Sequence, residues 1–134
     1  MFSTSKYIDP VGRALMAAIF VLSGLGKLGG APMTQSYMAA FGVPGALLWP
    51  TAAFELGAGV LLLVGLFTRP VALLLASFSI VTAFIFHSHF ADQIQMIMFL
   101  KNVAMTGGFL MIAKDGASGF SLDALRARRA MVHA

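Results

Sequence analysis

The chemistry open to this chain sits in a few side chains set into apolar runs: Arg13, Lys27, Glu55, His87, His89, Lys101 and Asn102. Glu55 stands near the middle of the 21-residue stretch Ala46 to Leu66, ALLWPTAAFELGAGVLLLVGL. A helix of about 20 apolar residues matches the ~30 Å hydrocarbon core of a bilayer. A lone carboxylate at that depth costs a few kcal/mol unless something compensates it. Lys27 and Lys101 are the candidate counter-charges, with Glu55 pairing one or the other. Such a pair either fixes helix register or builds a site. Apolar replacement of a buried pair is often neutral, so stability alone is a weak reason to have one. Two lysines against one glutamate would leave the interior net positive. That interior suits an anion, or a carbonyl that becomes anionic on reduction. Lys27 and Lys101 would donate hydrogen bonds, Glu55 would orient them, and His87 or His89 would relay protons.

The histidines are i, i+2, about 200° apart on a helix, so both face one site only if the helix has ended before them. They read as interfacial polar groups, as a proton donor, or as metal ligands. A metal site needs three convergent ligands, and only Glu55 and the two histidines are at hand, so none is assigned. Arg13 reads as a snorkelling interfacial anchor, about one turn inside the membrane boundary. The candidate ligand-binding set is therefore Lys27, Glu55, His87, Lys101 and Asn102, with Arg13 and His89 secondary and no catalytic residue assigned.

The elements that position these groups must be membrane helices. Of 134 residues 59% are hydrophobic and 10% are charged, and the mean hydropathy is +0.88. A soluble domain of this size carries roughly 25% charged residues. Fourteen glycines and nine methionines fit close helix packing and adaptable apolar contacts. No cysteine is present, which excludes thiolate catalysis, disulfide exchange and cysteine-ligated metals. The net charge of +4 comes from dispersed or terminal basic residues, not from a nucleic-acid-binding patch.

In chain order, a short polar arm, MFSTSKYIDP, precedes a first span over about 10–28. A basic arm before an apolar run also describes a secretory signal. An uncleaved span is preferred, because the run continues through SGLGKLGG without a good cleavage site. Arg13 and Lys27 fall about 40° apart on that helix and share their stripe with Ala17 and Gly24. Residues 29–45, bounded by Pro32 and Gly42-Val43-Pro44, are too few and too polar to span and read as a short interfacial helix. Spans follow over about 47–66, 71–87 and 94–113. Glu55 lies about 13 Å and Lys101 about 10 Å inside the outer ends of their spans. The tail carries a Ser121–Asp123 helix-start signal and then Arg126, Arg128 and Arg129, and reads as a basic surface helix that the bundle does not need.

Topology follows from charge. Lys6, Arg69, Lys114, Arg126, Arg128 and Arg129 fall on one side of such a bundle, and the two opposite loops hold no Lys or Arg. Four spans with both termini cytoplasmic satisfy the positive-inside bias. The expected fold is all-α: a polytopic four-transmembrane-helix bundle, one domain over 1–134, with a short interfacial helix and an amphipathic tail.

Several segments carry a family resemblance. They are Arg13, SGLGKL with Lys27, the GVP before span two, ELGAGVLLLVGLFTR with Glu55, the Lys101-Asn102 pair, and GASGFSLD in the tail. In this order and spacing the chain resembles the DoxX family over nearly its whole length. The resemblance implies a small four-helix bundle in the bacterial cytoplasmic membrane, tied to redox work. Examples are a thiosulfate:quinone oxidoreductase subunit and membrane partners of oxidative-stress enzymes. Two functions follow as expectations. In one, the bundle holds a quinone headgroup or a sulfur oxyanion, and a cofactor-bearing partner supplies the electrons. In the other, the chain is a non-catalytic anchor or assembly subunit for such a partner, or for further copies of itself. A transporter is a weaker third reading, since no inverted repeat or broken helix is visible.

Overall fold

Six helices make up the computed structural model, which describes Phe2–His133, with side chains from Lys6 onward. Met1 and Ala134, the ends of the expected arm and tail, lie outside the described residues. Helix α1 runs over Phe2–Gly29, α2 over Ala31–Ala40, α3 over Leu48–Val64, α4 over Thr68–Phe86, α5 over Gln93–Asp115 and α6 over Leu122–His133. A 3-10 turn, Gly45–Leu47, leads into α3. Helices α1, α3, α4 and α5 are long and apolar enough to cross a membrane. Their outward residues, among them Leu15, Leu22, Leu73, Leu74, Leu100 and Leu110, are exposed. In lipid this is the expected arrangement, because hydrocarbon solvates leucine and every backbone polar group is satisfied within its own helix.

Two boundaries differ from those expected. Helix α1 begins before Pro10 and not at it. Proline removes a single hydrogen bond near a helix start, and its fixed φ is already helical. The added turns are also braced by the tail: the Tyr7 ring lies 5.8 Å from that of Phe120, and the Lys6 ammonium lies 5.3 Å from the same ring. Helix α4 begins at Thr68, three residues before the expected start, because its first turn is capped from elsewhere in the chain.

The spans associate as two pairs, α1 with α3 and α4 with α5, and the pairs meet less extensively. Small residues permit the first pairing: a Cβ added at Gly24 would lie 2.6 Å from Leu56 Cγ. Between the pairs, Phe20 packs edge-on against Phe109 at 5.5 Å, with Leu62 and Leu75 in the same core. Helix α2 lies across the far end of the bundle. Its Met38 and Ala31 are buried with Leu48, and Tyr37 stacks on Phe86 at 5.6 Å.

The opposite end, which carries the starts of α1 and α6 and is called here the terminal face, is tied by Arg13. That residue is 1% exposed, so the snorkelling anchor expected from its position does not form. Its Nη1 donates to the carbonyls of Leu62 and Leu63 at 2.9 Å each, and Nη2 to that of Phe120 at 2.7 Å. Its Nε pairs with Asp9 Oδ2 at 3.0 Å. The last turn of α3 leaves carbonyls without intrahelical partners and carries the negative end of the helix dipole, so a buried guanidinium is well placed there. Gly65 then turns the chain at φ +71°, where a Cβ would lie 2.8 Å from Arg13 Nη1 and 2.5 Å from Ser121 Cβ. Only glycine meets both demands.

The tail also departs from the expected independent surface helix. Ser121 does start α6, its Oγ accepting from the Ala124 N–H at 3.1 Å. Asp123, however, caps α4. Its carboxylate accepts from the N–H groups of Phe67 and Thr68, each at 2.9 Å, and from the Thr68 hydroxyl at 2.6 Å. Asp9 Oδ2 accepts from the Ser118 N–H at 3.1 Å. Residues 118–123 thus link α1, α3 and α4.

Candidate functional site

Lys27 and Glu55 meet at the far end of the α1–α3 pair, with Nζ 2.7 Å from Oε1. The stripes that carry them bring them together: Arg13, Ala17 and Gly24 on α1 and Ala52, Glu55 and Gly59 on α3 are all buried. Lys27 Nζ also donates to Ser23 Oγ at 2.8 Å, one turn deeper. Glu55 is 2% exposed, whereas the Lys27 side chain keeps 20% of its surface. The ammonium therefore approaches the far face, and the carboxylate is shut in beneath it.

The pair lies on the wall of a cavity of about 580 Å³ between the two helix pairs. That volume falls within the ~300–1,000 Å³ usual for small-molecule sites. Its walls are mainly apolar, including Phe20, Phe78, Val81 and Met105. Helix α2 covers it on the far face through Thr34, Tyr37 and Met38. Hydroxyls reach it from α1, α2, α3 and α4, and the Asn102 amide from α5. Asn102 Nδ2 donates to the Ser79 carbonyl at 3.1 Å and to Thr82 Oγ1 at 3.3 Å, holding α5 to α4.

The expected residues divide. Lys27, Glu55, His87 and Asn102 line the cavity, and Lys101, His89 and Arg13 do not. Lys101 is exposed on the flank of α5 and makes no hydrogen bond or ion pair among the described residues. Of the two partners expected for Glu55, Lys27 is the one it meets, and the expected net positive interior becomes one lysine balanced by one glutamate. His87 follows the last residue of α4, with Nδ1 3.3 Å from Gln95 Oε1. The helix has ended there, yet His89 is still directed away, its ring 6.4 Å from that of Phe41. Arg13 belongs to the terminal face, at the other end of the bundle.

Thr51, on the same face of α3 as Glu55, also lines the cavity, as do Ser23, Ser79 and Thr82, which were not singled out from sequence. Ser79 and Thr82 hide well in VALLLASFSIVTAFIF, because each hydroxyl donates to a carbonyl one turn back, at 2.8 and 2.9 Å. Hydroxyls satisfied this way are tolerated in any membrane helix. Their spacing with Ser77 along one span was the available signal.

Comparison with known proteins gives a consistent set of relatives. The DoxX family profile matches residues 9–88. Inner membrane protein YqjF of Escherichia coli K12 is 44% identical over 115 residues, covering 86% of this chain and 88% of the relative. Inner membrane protein YphA of the same organism is 36% identical over 121 residues, covering 84% of this chain and 86% of the relative. No solved structure matches the chain.

Proposed function

The chain belongs to the DoxX family and is a multi-pass inner-membrane protein, and from that premise we propose that its far-face cavity holds the ring of a quinone. The observation that carries this reading is the neutralised Lys27–Glu55 pair on the wall of a mainly apolar cavity. With Lys101 outside, the site has no excess positive charge, which favours a neutral hydrogen-bonding head over a sulfur oxyanion. The Lys27 ammonium would donate to a quinone carbonyl and stabilise the negative charge that gathers there on reduction. Glu55 holds the ammonium in place, Asn102 flanks the ring, and His87 stands at the far face as the proton relay. None of these residues carries electrons, so a cofactor-bearing redox partner supplies them.

A second reading, a non-catalytic anchor for such a partner or for another copy of the chain, is favoured by Lys101. Lys101 stands eight residues, about 12 Å, inside α5. An exposed ammonium at that depth gains from a carboxylate on a neighbouring helix. Isolation in mild detergent separates the two readings. Quinone in the organic extract of the purified chain, absent from the Lys27→Met/Glu55→Gln protein, supports the first. A co-isolated protein that is lost on Lys101→Met, with no quinone present, supports the second.

In the same proposal both termini are cytoplasmic and the cavity faces the periplasm. Lys6, Arg69, Lys114 and the α6 arginines share the terminal face, and the far-face connections 30, 41–47 and 87–92 hold no Lys or Arg. A cytoplasm-specific reporter fused after Ala134 is expected to be active. Activity of a periplasm-specific one at that position would reverse the orientation.

A further inference from the structure

The cavity is covered by α2 at its far face and bordered by exposed residues at its side. Over its far face, α2 lays Tyr37 on Phe86 at 5.6 Å, and the Phe41 ring adds a contact to Phe86 at 5.3 Å. At its side, Ser77, Val81 and Ile85 of α4 line the cavity and are also exposed on the bundle surface, Val81 at 53% and Ile85 at 41%. Their i, i+4, i+8 spacing makes one stripe about 12 Å long. It runs from Ser77, the midpoint of Thr68–Phe86, toward the far end of α4. Across from it stand exposed Leu47 and half-buried Thr51. The seam between α3 and α4 closes only deeper, where the Phe54 and Phe78 rings meet at 5.3 Å. A residue that borders both a cavity and the outer surface marks an opening between them; on α4 three in a row do so, against the single Ile19 on α1.

We infer that the cavity exchanges its ligand with the membrane through this α3–α4 seam, and not with the aqueous phase. The ligand class is then a membrane-dissolved amphiphile. Its hydrogen-bonding head reaches Lys27 and Glu55, and its apolar tail lies along Ser77, Val81 and Ile85 and out into the lipid. This rests on the reading of the cavity as a ligand site. It extends that reading by excluding water-soluble substrates and by giving Val81 and Ile85 a role at the opening.

The absence of native cysteine makes the route testable in bilayer discs, where both aqueous faces are accessible. Thr51→Cys places one thiol on the cavity wall, Leu100→Cys one on the lipid face of α5, and Ser88→Cys one in the exposed far-face loop. The probes are N-dodecylmaleimide, which partitions into lipid, and a charged trimethylammonium methanethiosulfonate, which does not. Thr51→Cys is expected to behave as Leu100→Cys does, labelled by the alkyl reagent and spared by the charged one. Adding Val81→Trp, on a lipid-facing position that leaves the core intact, should slow alkyl labelling of Thr51→Cys about tenfold, equivalent to about 1.4 kcal/mol on the barrier. Labelling of Leu100→Cys should stay unchanged, and Ile85→Trp should repeat the effect. Charged-reagent labelling of Thr51→Cys at the rate of Ser88→Cys would place the opening in water and overturn the inference. So would failure of both reagents to label Thr51→Cys while N-dodecylmaleimide labels Leu100→Cys, or indifference to both tryptophans. These rates do not depend on which ligand binds. A chain that shows the expected pattern but binds no quinone would therefore refute the quinone reading and leave the route standing.

Discussion

Arg13→Ala is expected to destabilise the bundle by about 3–5 kcal/mol, the usual consequence of breaking a buried, fully partnered charge. Removing the guanidinium leaves the carbonyls of Leu62, Leu63 and Phe120 and the Asp9 carboxylate without this donor in one stroke. It also opens a gap beside Gly65. Arg13→Lys should recover little, because an ammonium on a flexible stem cannot reach α3, the tail and Asp9 at the same time as a planar fork does. Melting in detergent reads both variants, and a loss below about 1 kcal/mol for Arg13→Ala would show that the Arg13 contacts contribute little to stability. Asp123→Ala should cost less, about 0.5–2 kcal/mol, as loss of a helix cap does. Its pH dependence has a definite sign. Partial burial alone would raise the Asp123 carboxyl, but the Thr68 hydroxyl, the Thr68 and Phe67 N–H groups and the Arg126 charge hold it below its ordinary value. A carboxyl lowered by folding stabilises the fold above the unfolded value and loses that contribution as pH falls through the folded one. The Asp123 variant should therefore differ from wild type at neutral pH and converge with it in acid, below the usual carboxylate range.

The second large effect belongs to Lys27 and Glu55. Lys27→Met strands a carboxylate that is 2% exposed, at about 3–5 kcal/mol. Glu55→Gln should cost less, because Lys27 keeps Ser23 as an acceptor and can extend its stem toward the far face. The double variant should regain most of the larger loss, since it buries no unpaired charge. Lys101→Met, by contrast, should leave melting unchanged or raised, because it removes an ammonium within a span that no described residue partners. Additive losses in the double variant would mean that the 2.7 Å contact is not an energetic pair.

The position of each helix along the chain was legible in the sequence, and the direction each residue faces was only partly so. Length, hydropathy and charge placed four spans and a short connecting helix close to where they stand, and the stripe of Ala17 and Gly24 correctly turned Lys27 inward. Lys101 has the same kind of stripe, with Ala104 and Gly108, yet only Gly108 meets α1, through Met16, and α5 presents Lys101 and Ala104 to the outside. A stripe specifies which residues share a face. It does not specify whether a neighbouring helix covers that face along its whole length. Arg13 was misread for a related reason, since its partners are backbone carbonyls of α3 and the tail, and carbonyls leave no mark in a sequence. Asp123 carried a helix-start signal for α6, and nothing in its surroundings announced that it would cap α4 from more than fifty residues away. The Ser79 and Thr82 hydroxyls were masked by their own back-bonding.

The most direct measurement is the binding isotherm of a decyl-tailed benzoquinone to wild type, Lys27→Met, Glu55→Gln and the double variant in bilayer discs, with protein-free discs subtracted. Wild type is predicted to show one saturable site. The double variant, folded by its melting curve, is predicted to bind at least about tenfold more weakly, since a hydrogen bond to a charged group contributes about 1.5–3 kcal/mol. Equal saturable binding by wild type and double variant, or no saturable binding by wild type, would contradict the assignment of Lys27 and Glu55 as the polar end of a quinone site.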